Sequence, residues 1–293
     1  RKFIKAGAEV KVAMTASAQE FVTPLTFQVL SKHDVYTDTF DEKDAQFVSH
    51  IHLADWTELA VIAPATANIV AKMANGIADD FVSTALLATT APRLIVPAMN
   101  QHMLENPATA RNMEALKSYG YEIMEPDTGF LAEGYEGKGR MPEPEKIVEA
   151  AQLVVLNNAK ELPLKGKKVL ITAGGTKERI DPVRFITNDS SGKMGYSLAK
   201  AARDLGAEVT LVTATNLLPI PFGVESIYVQ SSEEMESEVL DKFHNLDMVI
   251  MAAAVSDYRP KTQANVKIKK TNEDLTLVLE KTTDILAELG KRK

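Results

Sequence analysis

Short runs of β-branched and apolar residues alternate along this chain with longer stretches of helical periodicity, and that alternation constrains the fold more than any other feature. It predicts strands at Val10–Met14, Leu59–Ala63, Leu94–Pro97, Val169–Thr172, Val209–Val212 and Met248–Ala253. A strand followed by a helix and another strand is built as a parallel crossover unit. The runs are continuously apolar, so both faces of the sheets should be covered by helices. The expected class is α/β, with two doubly wound, mainly parallel Rossmann-like sheets.

Two phrases support the count of two. Gly7-Ala-Glu-Val-Lys-Val-Ala-Met-Thr-Ala recurs as Gly206-Ala-Glu-Val-Thr-Leu-Val-Thr-Ala, each reading as a helix end, a glycine cap and a buried strand. They lie too far apart for a solenoid repeat, so they read as equivalent elements of separate domains. Between them, Asn157–Lys168 is polar and basic after an apolar helix over Pro144–Leu156, a linker composition. We place the boundary near residue 160, giving domains 1–159 and 160–293. The chain starts at Arg1 inside a helical pattern and stops at Lys293 directly after another, and reads as an internal fragment of a longer protein.

Composition narrows the chemistry. With 33 basic and 40 acidic side chains the net charge is −7, so no global positive field attracts nucleic acid or an anionic membrane, and anions must be captured locally. No cysteine is present, which excludes disulfides, thiolate zinc and thiolate catalysis. No apolar run is long enough to span a bilayer.

In the first half, three loops at strand ends hold the unusual residues, where ligands of open parallel sheets bind. Thr15 and Ser17 can hold a phosphate or cap the next helix. Ala65, Thr66, Ala67 and Asn68 follow a strand with little bulk, allowing a flat ring or a phosphate to approach the backbone. Met99 and Asn100 present a soft apolar wall and a carboxamide. His50 can act as acid, base or carboxylate partner. His50 and His52 would share one face of a strand as metal ligands, but not of a helix, and the following residues read as helical. Residues 129–144 carry four glycines and two prolines in sixteen positions, a flap or a plain surface loop.

SHI at 49–51, PATAN at 64–68, PAMNQHM at 97–103 and GKGRMPEP at 137–144 occur in one order. The set resembles the flavin-dependent phosphopantothenoylcysteine decarboxylases, members of the homo-oligomeric flavin-containing Cys decarboxylase group. The resemblance implies FMN against Thr15–Ser17 and Ala65–Asn68, with Met99 beside it. His50 falls at the catalytic histidine and Asn100 at the asparagine that binds the substrate carboxylate. It implies that the substrate thiol is oxidised to a thioaldehyde, from which the carboxylate leaves as carbon dioxide. One departure is marked: Glu133 stands where the family has a cysteine that donates a proton in the final reduction. A carboxylic acid can give up a proton, but with a different pKa and reach, so either decarboxylation proceeds while reduction of the enethiol stalls, or Glu133 is an engineered or natural inactivating change.

In the second half, Ala173-Gly174-Gly175-Thr176 follows a strand, and Ser191-Gly192-Lys193 opens a helix. Glycines and hydroxyls ahead of a helix N-terminus can expose amides to an anion, or can simply start the helix. Neither Gly-x-Gly-x-x-Gly nor the Walker pattern is met, since Met194 follows Lys193 and Thr187 stands where the earlier glycine belongs. Met251, Ala252 and Ala253 precede Asp257, a magnesium or ribose partner. Val266–Lys270 reads as a strand with Lys267 and Lys269 on one face.

ITAGGT at 171–176, DPVRFITNDSSGKMG at 181–195, AAAVSDYRP at 252–260 and KIKK at 267–270 are together similar to phosphopantothenate–cysteine ligase. In bacteria that ligase is fused behind the decarboxylase, in the order met here. The resemblance implies activation of the 4′-phosphopantothenate carboxylate by CTP as an acyl-cytidylate, attacked by the amine of cysteine. The joined product, 4′-phosphopantothenoylcysteine, then goes to the decarboxylase. Asn188 corresponds to the asparagine that holds the acyl-cytidylate, and Arg184 to a residue of the amide step. Met251–Ala253, Asp257, Lys267 and Thr283, Asp284, Ile285 and Leu286 correspond to nucleotide contacts, which adds to the reading of Gly174, Gly175, Ser191, Gly192 and Lys193 as a nucleotide cradle and of Asp257 as a Mg2+ partner. It further implies trimeric decarboxylase units, dimeric ligase units and a cytoplasmic location. Two other readings are a non-catalytic flavin-binding regulator of the same fold and a dehydrogenase with two Rossmann units; the missing fingerprint disfavours the second.

Overall fold

The computed structural model describes residues 1–42, 47–159, 161–270 and 274–292, and divides into two units, 1–159 and 160–293. Lys160, inside the expected linker, lies outside the described residues. Both units are α/β with mainly parallel strands.

In the first unit, β1 (Val12–Ala13) pairs in parallel with β2 (Val35–Tyr36). A separate parallel sheet contains β3 (Ala60–Ala65), β4 (Arg93–Pro97) and β5 (Glu122–Ile123), in that order. An antiparallel hairpin follows, of β6 (Asp127–Phe130) and β7 (Glu136–Arg140). The core packs Ile62, Ala65, Ile69, Val70, Ile95 and Leu116, joining β3 and β4 to the helices Ala67–Asn75 and Pro107–Ser118. Leu53, Phe81 and Ala85 form a second cluster between the helices Ser49–Trp56 and Phe81–Ala88.

The start of helix Phe81–Ala88 illustrates how local sequence fixes an element. Asp80 Oδ1 accepts from Ser83 N at 2.8 Å while Ser83 Oγ accepts from Asp80 N at 3.1 Å, a reciprocal capping box. Burial pushes the Asp80 carboxyl up, but Lys72 at 2.6 Å and the Ser83 donors outweigh it and hold it below the usual range.

In the second unit, β8 (Lys168–Ala173) is followed by a small antiparallel pair, β9 (Lys177–Arg179) and β10 (Phe185–Thr187). Then come β11 (Glu208–Thr213), β12 (Glu225–Tyr228) and β13 (Met248–Met251), and a second antiparallel pair, β14 (Tyr258–Pro260) and β15 (Leu279–Lys281). The main sheet runs β12-β11-β8-β13, all parallel. Strand order therefore reverses between β8 and β13, the switch point of a doubly wound sheet.

Alternate residues of β8 enter opposite cores. Val169, Ile171 and Ala173 pack with Tyr196, Ala199 and Ala202 of helix Lys193–Asp204. Leu170 packs with Met235 and Val239 on one helix and Ile285 and Leu289 on another. Both faces are covered, which is why the strand reads as continuously apolar.

The repeated phrase occupies equivalent places. Gly7 and Gly206 follow helices with φ of 93° and 95°, and each leads into a parallel strand. The run Val266–Lys270, read as a strand, has no ladder partner and is irregular. Its backbone is held by side chains instead, as described below.

Asp80→Ala should lower the stability of the chain by roughly 1–2 kcal/mol in urea unfolding at neutral pH, the cost of losing an N-cap. A change under about 0.3 kcal/mol would show that the cap carries no weight.

Candidate functional site

In the first unit the candidate residues lie at carboxyl ends of parallel strands. Thr15, after β1, caps the short helix Ala16–Gln19 by accepting from Ala18 N at 3.2 Å, and Ser17 is an exposed residue of that helix. Thr66, after β3, caps Ala67–Asn75 by accepting from Ile69 N at 3.5 Å. Both hydroxyls thus serve the backbone. Ala65 is fully buried in the core, so its side chain cannot line a site. Ala63, Pro64, Thr66 and Asn68 are exposed beside it.

His50 lies in the first turn of helix Ser49–Trp56. Its ring meets Phe81 edge-on at 6.5 Å, whereas the His52 ring lies against Phe47 at 4.9 Å. Two positions apart on a helix, the histidines diverge, so they do not form a shared metal face. The His50 Nδ1 atom is buried and has no hydrogen-bond partner among the described residues. A buried ring nitrogen left this way is a place for a ligand group. The same helix start is held by Glu42, whose Oε2 accepts from Ser49 N at 2.9 Å and Ser49 Oγ at 2.6 Å.

Asn100 follows β4, and the structure brings Glu133 to it. Asn100 Nδ2 donates to Glu133 Oε1 at 3.0 Å and to Tyr135 Oη at 2.6 Å, while Asn100 Oδ1 accepts from His102 N at 2.8 Å. Sequence reasoning missed Tyr135. The glycine-rich stretch is the β6–β7 hairpin, docked on the Met99–Asn100 loop by a hydrogen bond from Met99 N to Gly139 O at 3.0 Å. A Cβ at Gly139 would lie 2.0 Å from the Met99 carbonyl oxygen, so only glycine allows this approach. His50 makes no hydrogen bond to this group.

In the second unit, loops from β8, β10, β11 and β13 converge near the switch point. Thr172 Oγ1 accepts from Ala252 N and Ala253 N, both at 3.1 Å. Asn188 Nδ2 donates to Ala254 O at 3.2 Å and Val255 O at 3.3 Å, and Thr176 Oγ1 meets Ser256 Oγ at 3.2 Å. The glycines are explained by this closure rather than by open space. A Cβ on Gly175 would come within 2.6 Å of Asn188 O, and one on Gly192 within 2.7 Å of Thr215 Cγ2. Gly174, Gly175 and Gly192 are buried.

Ahead of the helix start at Lys193, Gly192 N donates to Ser190 Oγ at 3.4 Å and Lys193 N to Ser191 Oγ at 3.5 Å, while Gly192, the N-cap, offers no side chain to cap the helix. Lys193 and Ser191 are exposed there, at the positive end of a helix of 12 residues. At Thr283–Leu286, Asp284 caps helix Ile285–Lys291 through Ala287 N at 3.0 Å. The Ile285 side chain is 3% exposed and belongs to the core, so it is no nucleotide wall; Leu286 is exposed. Met251, Ala252 and Ala253 are half-buried. Asp257 is an exposed, single carboxylate, and among the described residues no three His, Asp or Glu converge to hold a metal.

Asp181 is the residue that sequence reasoning passed over. Fully buried, it accepts from Val183 N and Arg184 N, each at 2.8 Å, and from Ile268 N at 3.2 Å. Arg184 Nη2 donates to Ile268 O at 2.7 Å. Both polar groups of one backbone residue are thus gripped, with Lys267 and Lys269 on either side. The Asp-Pro pair carries the local part of the signal, an Asx turn. Burial pushes the Asp181 carboxyl up, but the three backbone donors and Arg184 hold it below the usual carboxylate range.

With this geometry in view, the comparisons with known proteins are direct. The family described as "Flavoprotein" matches residues 1–155, and "DNA/pantothenate metabolism flavoprotein C-terminal domain" matches residues 164–293. The coenzyme A biosynthesis bifunctional protein CoaBC of Bacillus subtilis (strain 168) is 53% identical over 293 residues, 100% of this chain and 72% of that protein. Its counterpart in Vibrio cholerae serotype O1 is 47% identical over 292 residues, 99% of this chain and 72% of that protein. Among solved structures, the FMN-dependent cysteine decarboxylase SpaF is 32% identical over 54% of this chain and 85% of its own, at a TM-score of 0.46. The chain belongs to the family of bifunctional coenzyme A biosynthesis proteins.

Asp181→Asn should destabilise the chain at neutral pH. A carboxyl with a lowered folded-state pKa contributes stability above its unfolded value of about 4, lost as the pH falls through the folded value. The gap between parent and variant in urea midpoints should therefore narrow below about pH 4. A gap constant from pH 7 to 3 would contradict this account of Asp181.

Proposed function

We propose that the protein acts twice in coenzyme A biosynthesis: CTP-dependent joining of 4′-phosphopantothenate to cysteine in the second unit, and FMN-dependent decarboxylation of 4′-phosphopantothenoylcysteine in the first. The observation that carries this reading is the identity with the bifunctional relatives along the whole chain, with the family's motif residues gathered at carboxyl ends of parallel strands in each unit.

FMN, when bound, supplies an electron sink that no side chain offers. The residues fit it: a buried unpartnered His50 Nδ1 and a low, exposed rim of Ala63, Pro64, Thr66 and Asn68. Backbone at Thr15–Ser17 and Ala65–Asn68, with Met99, would hold the flavin. His50 moves a proton at its orphan nitrogen, and Asn100 orients the departing carboxylate. In the second unit, Lys193 and Lys267 would meet the phosphates of CTP. Asn188 and Arg184 would steady the activated carboxylate. The donor set does not make a protein-built magnesium site. Asp257 can add one ligand to a cation carried by the phosphates, and we derive no step through it. We place the reaction in the cytoplasm and the protein in a homo-oligomer of trimeric first units and dimeric second units. Among the described residues no helix is long and apolar enough to cross a membrane.

In the complete protein, His50→Asn should abolish carbon dioxide release while CTP-dependent pyrophosphate formation continues within about twofold of the parent. The parent should carry flavin absorbance. A colourless preparation that cannot be reconstituted with FMN overturns the first activity; loss of both activities together in His50→Asn overturns their independence.

A further inference from the structure

Both donors of the Asn100 carboxamide are engaged by the hairpin turn, one by the Glu133 carboxylate and the other by the Tyr135 hydroxyl. Its oxygen is taken by His102 N. A carboxamide nitrogen has only two N–H groups, so no donor is left for an incoming ligand while the turn stays in place. Among the described residues Glu133 has no other hydrogen bond, and it is exposed, so its contact to Asn100 is what the carboxylate serves there.

We propose that Glu133 is an internal competitor for the substrate carboxylate at Asn100, which makes it a determinant of how the first unit distinguishes substrate from product. The inference rests on the decarboxylase reading above. An ionised carboxylate only accepts hydrogen bonds, and the group arriving with 4′-phosphopantothenoylcysteine has the same shape and charge. The two cannot share one carboxamide without repulsion, so substrate entry requires Glu133 to leave. The product, 4′-phosphopantetheine, has lost that carboxylate and does not contest the contact. Glu133 therefore weakens the substrate complex selectively, and its return to Asn100 closes the turn once carbon dioxide has gone. The docking of Gly139 on Met99 leaves the base of the hairpin fixed while the turn exchanges partners.

The test uses the complete, FMN-loaded protein in a His50→Asn background, so that substrate is not consumed during calorimetric titration. Glu133→Ala should tighten 4′-phosphopantothenoylcysteine about tenfold, the weight of one charge-assisted hydrogen bond, and leave 4′-phosphopantetheine unchanged. Glu133→Gln keeps an acceptor but loses the charge, and should fall between parent and Glu133→Ala. Equal shifts for both ligands, no shift, or weaker substrate binding in Glu133→Ala overturns the competition while leaving the decarboxylase reading intact. Failure of either ligand to bind any form overturns that reading and the competition with it.

Discussion

The second unit depends on the parallel pairing of Lys168–Ala173 with a strand on each side. Because both neighbours run the same way, the three carboxyl ends lie at one edge, and the chain leaving them has to turn there. Reversal of strand order separates the turn after Ala173 from the turn after Met251, and Thr172, Asn188 and the Thr176–Ser256 pair close the gap with hydrogen bonds. The candidate nucleotide residues are arranged around this seam. Their placement follows from the sheet, with the local loop sequences supplying the donors and the small side chains that let the loops meet.

Much of the architecture was legible because burial on both faces leaves an unmistakable apolar run. Val169–Thr172 and Val209–Val212 were located to within a residue at each end. The failures have separate causes, the first a partner distant in sequence. Val266–Lys270 alternates like a strand, yet its backbone bonds go to Asp181 and Arg184, more than eighty positions earlier. Gly174, Gly175 and Gly192 read as amides open to an anion or as a helix start, and local sequence does not show that another loop approaches them, as Asn188 and Thr215 do here. The hairpin was visible only as a surplus of glycine. Its inward positions on β7 are Gly137 and Gly139, so the alternation that defines a strand is present in burial and absent in hydrophobicity.

Two asparagines with similar settings show how one side chain takes different roles. Asn188 gives its donors to the carbonyls of Ala254 and Val255, groups that belong to the framework and stay put. Asn100 gives its donors to the side chains of Glu133 and Tyr135, on an exposed turn. A ligand at Asn188 meets a side chain fixed in the seam between two loops, whereas a ligand at Asn100 exchanges with side chains that rotate into water.

The β7 strand docks through main-chain atoms and two residues with no side chain, while the turn adds its own side-chain contacts from Glu133 and Tyr135 to Asn100. Chemical identity and mechanical attachment are separated along a few residues of chain. The tip at 133–135 can accordingly exchange its side-chain contacts while the strand behind it keeps its hold.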